Sequence, residues 1–292
     1  MEIEVRTLHA FSDTPEGGNP AGVVLQAEHL SAIQMQDIAR QVGFSETAFV
    51  MPSDFADYKV RFFTPNHEVD LCGHATVALF YLMKAEQIID VGVYTLDTLA
   101  GILKVTVEED GDVYLSQTLP QFGELVNRQD IADSLQIPLQ DLHPELPVQI
   151  VSTGLRDILI PVRHPDVLAT INPDLRHIAD ISKAHQVVGY HVFALETQGN
   201  AALAECRNFA PLYDIPEESA TGTSNGALLC YLHKYQQLPT PHDQTFMIQQ
   251  GYTMNRPSKI QGRLTLGPSN EITQVQIGGV AVHTQNIQIQ LP

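Results

Sequence analysis

The sequence predicts an α+β chain made of two similar domains, each a curled sheet wrapped around one central helix. Three observations carry that expectation: one block of residues used twice, two segments apolar nearly all round, and strand-like runs rich in Val, Ile, Phe and Tyr through the remainder. Arg61-Phe62-Phe63-Thr64-Pro65 and Arg207-Asn208-Phe209-Ala210-Pro211 share an R-x-F-x-P pattern, and the runs behind them end Tyr81-Leu82-Met83-Lys84 and Tyr231-Leu232-His233-Lys234. A spacing of roughly 150 positions marks a duplicated domain, because solenoid periods run ~20–50 residues. The cleft between the two halves is then the expected active site.

Taken along the chain, Ser31-Ala32-Ile33-Gln34 reads as a capping box opening a helix whose Met35, Ile38, Ala39 and Val42 form one stripe. Gly43 stands where a left-handed glycine would end it, and a strand from Phe44 to Met51 should follow directly. Ala75 to Met83 and Ala227 to Leu232 lack a polar face, the mark of helices buried on every side. Leu119 to Pro147 carries Pro120, Pro138, Pro144 and Pro147 and has no counterpart between the copies, so the domain crossover is placed near its start. The expected domains are 1–118 plus a C-terminal strand at about 283–292, and 119–282.

At 292 residues and 43% hydrophobic composition the chain can give each of two domains a core. The net charge of −18, from 34 acidic and 16 basic residues, argues against a nucleic-acid or anionic-membrane partner, which would need clustered Lys and Arg. Met1-Glu2-Ile3-Glu4 has no basic and apolar leader pattern, and no stretch reaches the ~18 apolar residues of a membrane span. Cys72, Cys206 and Cys230 are an odd, unspaced set that suits a reducing compartment. The expected location is the cytoplasm.

Glu46 is the most unusual residue. Period-two alternation puts its carboxylate on the face of Phe44, Ala48 and Val50, and burial moves such a group toward the range of a working acid or base. The alternative is a strand-end Glu reaching solvent or an arginine. "VGYHVFAL" in the second half matches "VGFSETAFV" with Val192 near the Glu46 position, so the carboxylate is no shared structural need. His74 follows Cys72 and Gly73 at the start of the first buried helix, where the helix dipole favours an anion and glycine admits a ligand to the backbone. It is read as a substrate hydrogen-bonding or relay group, or else as a satisfied structural donor. His67, Glu68, Cys72 and His74 fit no standard zinc spacing, so no metal is expected.

Gly222-Thr223-Ser224-Asn225-Gly226 matches the G-x-S-x-G nucleophile elbow literally. Asp243 follows Ser224 too closely for the strand–helix unit of ~30 residues that such a hydrolase needs, so the glycines read as an anion-cradling turn. No Walker or Rossmann fingerprint occurs, which disfavours nucleotide cofactors.

"GGNPAGVVL" from Gly17, "GFSETAFV" from Gly43, "RFFTPNHEVDLCGHAT" from Arg61, "ATGTSNG" from Ala220 and "QQGYTMNRPS" from Gln249 together resemble the PhzF-like phenazine-biosynthesis isomerase family. The resemblance spans almost the whole chain. It implies the diaminopimelate-epimerase fold with two β-barrels each around a central helix, a homodimer, and chemistry without cofactor or metal. In that family the Glu of S-E-T-A moves a proton on a dihydro-hydroxyanthranilate, assisted by the His of C-G-H-A-T and an Asp of E-D-P-A-T-G. Glu46 and His74 match the first two, while Glu218 stands at the Asp with one methylene more, Ser219 at the Pro, and Thr223 at the Ser or Asn.

Related racemases and epimerases use two facing cysteines, and the resemblance puts Cys72 at the first position and Ser219 at the second. The sequence therefore points to a cofactor-independent isomerase of a small carboxylate. Glu46 is expected as acid/base, His74 as relay, and Glu218 as the orienting carboxylate. Ser45, Gly73, Gly222 and Thr223 are expected to line the site. A Cys72/Ser219 racemase and a non-catalytic carboxylate-binding protein are the alternatives.

Overall fold

In the computed structural model, which describes residues 1–195, 202–241 and 244–291, the chain divides into two compact units, 1–116 with 278–292, and 117–277. The first begins with β1 (Glu2–Ala10), β2 (Asn19–Val24), α1 (Ala32–Val42), β3 (Glu46–Met51), β4 (Tyr58–Phe63) and β5 (Glu68–Val69). It continues through α2 (Gly73–Ala85), β6 (Gly92–Thr98), β7 (Gly101–Val107) and β8 (Val113–Gln117). Strand β2 runs antiparallel to β1 and parallel to β3, and β4 runs antiparallel to β3 and β5 but parallel to β6. β7 then returns antiparallel to β6.

The second unit contains β9 (Gln121–Leu125), α3 (Arg128–Leu135), β10 (Gln149–Ser152), β11 (Arg156–Pro161), α4 (Pro165–Thr170), α5 (Leu175–His185), β12 (Gly189–Ala194) and β13 (Ala204–Ala210). After β14 (Ile215–Glu218) come α6 (Gly222–Lys234), β15 (Phe246–Gln250), β16 (Ser258–Leu266) and β17 (Ile272–Gly279). From β10 to β16 the pairings repeat the order found from β1 to β7: antiparallel, parallel, antiparallel, a short antiparallel strand, parallel, antiparallel. The last strand, β18 (Ala281–Gln290), lies antiparallel to β1 in the first unit. Asp243 and Pro292 lie outside the described residues. No helix among the described residues is long and apolar enough to cross a membrane.

The capping box forms as the sequence predicts, with Gln34 N donating to Ser31 Oγ and Ser31 N donating to Gln34 Oε1, and Gly43 ends α1 at φ 73°. The stripe of α1 packs Met35 and Ile38 with Val5, Phe49 and Phe63. In the second unit Ile131 of α3, Leu168 of α4 and Ile178 of α5 pack with Ile158, Tyr190 and Val192. Helix α2 lies against β1, β2, β3, β7 and β18, strands from both ends of one sheet, so that sheet curls around it. Val77, Leu79, Phe80, Leu82 and Met83 of α2 are buried, each worth ~1.5–3 kcal/mol of transfer free energy, which holds the helix inside its sheet. Helix α6 is buried in the same way against β10, β11 and β16.

Two expectations need correction. Strand β3 starts at Glu46 rather than Phe44, and Thr47 through Val50 are all buried, so the sheet is covered on both faces and alternation does not sort inside from outside. The Glu46 counterpart also moves. Arg61 pairs with Phe49 and Arg207 with Val192, which makes Phe49 and Val192 equivalent and puts Gly189, not Val192, at the place of Glu46. The left-handed helix ends agree, since Gly43 and Gln186 each stand three residues before that place.

Candidate functional site

Glu46 opens β3 and His74 is the second residue of α2, so the start of a parallel strand and the start of a buried helix bring them together. His74 Nε2 lies 3.4 Å from Glu46 Oε2 and 3.3 Å from Ser45 Oγ. On the other side of the ring, Nδ1 lies 3.3 Å from Cys72 Sγ and 3.3 Å from Asn19 Nδ2. Burial pushes the His74 ring below the ordinary imidazole pKa; the nearby Glu46 charge and a hydrogen bond to the Pro20 carbonyl pull it back up without reversing the shift. A ring so placed is neutral near pH 7, with ionisable groups at both nitrogens. Glu46 Oε2 is sealed from water and accepts no hydrogen bond.

Cys72 is the N-cap of α2 and makes no side-chain cap, so the first N–H groups of the helix keep their dipole field for something else. A Cβ added at Gly73 would meet only Leu115, at 4.0 Å. The fold therefore does not require glycine there, and its smallness leaves space at the helix start. Asn19, which orders the ring and is buried, is not singled out by the sequence reading; an Asn before Pro20 at the head of an apolar run is the only sequence signal for it.

In the second unit Glu218 ends β14 and Thr221 is the N-cap of α6. Thr221 Oγ1 donates to Glu218 Oε2 at 2.9 Å. Glu217 is held elsewhere, in a two-bond ion pair with Arg207 at 2.8 Å each, as Glu68 is with Arg61 at 2.6 and 2.7 Å. The Gly222 carbonyl accepts from Gln117 Nε2 at 3.2 Å, and the Thr223 carbonyl from Thr153 Oγ1 at 3.2 Å. Because Cys72 and Thr221 are the two N-caps, Thr221 and not Ser219 occupies the place matching Cys72; Ser219 is buried two residues earlier. Ser45, Glu46, Gly73 and His74 thus gather at the start of α2, and Glu218, Gly222 and Thr223 at the start of α6.

Ser224 is no nucleophile. Its buried hydroxyl donates to Asp157 Oδ2 at 2.6 Å and accepts from Asn208, a structural role at the centre of a polar network. Glu46, Cys72 and His74 have ligand atoms within 4.8 Å of one another. The thiol lies nearer Nδ1 and the carboxylate nearer Nε2, whereas a metal ion binds in the ring plane at one nitrogen, so this arrangement does not favour one ion held by all three. His67, close to them in sequence, is exposed, and Glu68 is engaged by Arg61.

The profile of the family described as phenazine biosynthesis-like protein matches residues 8–286. The chain is 33% identical over 290 residues to the uncharacterized isomerase YfhB of Bacillus subtilis, covering 97% of each. It is 27% identical over 277 residues to the trans-2,3-dihydro-3-hydroxyanthranilate isomerase of Pseudomonas aeruginosa, covering 93% of this chain and 94% of that one. A crystal structure of the Bacillus anthracis PhzF-family phenazine biosynthesis protein superposes with a TM-score of 0.92 at 31% identity over 100% of both chains. A probable proline racemase of Agrobacterium radiobacter, 14% identical and covered to 93% by 99% of this chain, shares the fold at a TM-score of 0.63. The chain belongs to the phenazine biosynthesis-like family of isomerases.

Proposed function

We propose that this family member is a cofactor-independent isomerase that shifts a proton within a small carboxylate substrate, with Glu46 as general acid/base. Glu46 removes a proton from a carbon conjugated with the substrate carboxylate; the C–H electron pair delocalises toward that carboxylate, and Glu46 returns the proton to another carbon. Nothing is oxidised or reduced and no group leaves. The observation that carries this reading is the water-sealed Glu46 Oε2, 3.4 Å from an imidazole that burial keeps neutral. A neutral His74 can hydrogen-bond whichever protonation state Glu46 holds, so it can follow the proton without trapping it. The N–H groups at the start of α2 offer a dipole field for a substrate carboxylate beside Gly73. Glu218 acts as the orienting carboxylate, with Ser45, Gly222 and Thr223 lining the substrate. The relative named for dihydro-hydroxyanthranilate supports a cyclic or unsaturated carboxylate as the substrate class.

A homodimer and a cytoplasmic address belong to the same reading, and sedimentation and cell fractionation test them. The test of the chemistry is incubation in D2O with a panel of small cyclic and amino carboxylates, read by NMR. Enzyme-dependent deuterium incorporation is expected for at least one of them. Binding of a panel member without exchange would instead identify a non-catalytic carboxylate-binding protein.

A further inference from the structure

The second unit contains a buried histidine, His191, that the proposed reaction does not use. It is fully buried on β12 between two amides: Asn208 Nδ2 lies 3.2 Å from Nδ1, and Asn225 Oδ1 lies 3.1 Å from Nε2. Which way each amide faces is fixed by groups that cannot turn over. Asn225 Nδ2 donates to the Thr221 carbonyl at 2.8 Å, so Asn225 Oδ1 must face the ring and accept. Asn208 Nδ2 donates to Ser224 Oγ, whose own proton goes to Asp157, so the amide that faces Nδ1 is a donor. His191 therefore carries its proton on Nε2 and accepts at Nδ1.

From the ring the polarity runs onward in one direction. Asn225 Nδ2 also donates to Gln250 Oε1 at 2.8 Å. Gln250 is doubly anchored on main chain, its Oε1 accepting from Thr221 N at 3.2 Å and its Nε2 donating to the Glu218 carbonyl at 2.8 Å. That same Nε2 donates to Thr221 Oγ1 at 3.1 Å, which directs the Thr221 hydroxyl proton to Glu218 Oε2. Every link is donor to acceptor, from imidazole to carboxylate.

We propose that His191 is a positioning residue for Glu218, acting through a one-way hydrogen-bond chain across Asn225, Gln250 and Thr221. The chain holds the α6 N-cap hydroxyl as a donor and so fixes the side-chain angle at which the Glu218 carboxylate is presented. Glu218 is one methylene longer than Asp and has one more rotatable bond to restrain, which gives the chain its use. This rests on the reading that Glu218 meets the substrate.

The test has two arms, the first independent of activity. In protein labelled with 15N in its histidine rings, long-range NMR with His191 assigned through His191→Gln is expected to show a neutral ring protonated on Nε2, unchanged from pH 8 to pH 6.5, where Asp157 still accepts from Ser224. A ring protonated on Nδ1, or one that titrates in that range, overturns the chain. The second arm compares Gln250→Glu, which keeps the shape but puts an acceptor where the chain needs a donor, with His191→Gln, which keeps a donor for Asn225. Gln250→Glu is expected to move the 13C signal of the Glu218 carboxyl. It should also lower kcat for exchange about tenfold or more, with KM changed less than about threefold. His191→Phe, which removes the donated bond, should lower kcat by more than about threefold, and His191→Gln, which retains a donor, should restore it; wild-type kcat in a folded His191→Phe protein overturns the role of His191. A folded Gln250→Glu protein with an unmoved Glu218 signal and wild-type kcat overturns the positioning role. A moved Glu218 signal in a protein whose exchange survives Glu218→Gln leaves the chain standing and removes Glu218 from the reaction.

Discussion

The starts of α2 and α6 are reached by the same succession of strand pairings, yet they treat a buried histidine in opposite ways. At α2 the ring of His74 touches a carboxylate at one nitrogen and a thiol at the other, groups that can gain or lose a proton. At α6 the ring of His191 touches amides on both sides, which cannot. Burial lowers both pKa values, His191 to about 4, so desolvation does not distinguish the two rings. What differs is whether the neighbours can trade a proton, and on the proposed reading a scaffold whose strand pairings repeat commits one half to chemistry and the other to geometry.

Replacing the tradable neighbour breaks the contrast outright. Glu46→Gln preserves shape but removes the transferable proton, so exchange should fall by about a thousandfold or more, ~4 kcal/mol, with ligand binding and thermal unfolding near wild type. Wild-type exchange in that variant would remove Glu46 from the mechanism.

The glycines sharpen the comparison next. Gly189 stands where Glu46 does, and a Cβ there would meet the Phe209 carbonyl oxygen at 2.0 Å. Gly189→Ala should therefore cost about 3 kcal/mol or more in urea unfolding, as backbone cannot give way cheaply. Gly73→Ala, with open space around it, should leave stability within about 0.5 kcal/mol while weakening substrate binding. Equal stability losses in the two would mean that Gly73 is a packing requirement after all.

The sealed network also makes a prediction about pH. Asp157 is raised to about 6 by burial, so the folded protein binds its proton more tightly than the unfolded chain does, and the cost of its buried charge is relieved as pH falls from 6 toward 3.8. His191 is depressed to about 4, so its contribution is lost as pH falls from 6.5 toward 4. Each displacement is worth about 3 kcal/mol, and the two oppose each other over nearly the same window. Asp157→Asn, which can still accept from Ser224, should expose the histidine slope alone. Between pH 7 and 4.5 it should lose about 2 kcal/mol more stability than wild type by urea titration, the part of the Asp157 displacement that falls in that window. Parallel curves would show that the two groups do not compensate.

The smallest effect is expected at the thiol. Cys72→Ser should alter exchange by less than about tenfold if Glu46 is the base. A loss of about a thousandfold in a folded variant, with ligand shielding the wild-type thiol from iodoacetamide, would shift the reading to a cysteine racemase.

Local signals were legible where one residue suffices. Ser31 and Gly43 bounded α1 because capping is set within a few positions, and the apolar surround of α2 and α6 announced their burial. Glu46 stood out because a carboxylate interrupts an apolar run. The strand equivalence slipped by three residues because apolar strands resemble themselves in several registers, and only pairing with Arg61 and Arg207 fixes the alignment. His191, Asn208, Asn225 and Gln250 passed unnoticed for a different reason. Nothing beside each of them in the sequence marks it, because its meaning lies in a partner 16 to 34 positions away.

Strand β18, which comes from the far end of the chain to lie along β1, has a consequence for synthesis. The second unit is one continuous segment and has all its strands once residue 279 has emerged from the ribosome. The first unit is made earlier but must wait with the edge of β1 uncovered, a template for pairing with the wrong chain. On the ribosome the later-made half is therefore the one that can finish first, and the nascent first half is the part that chaperones have most reason to shield.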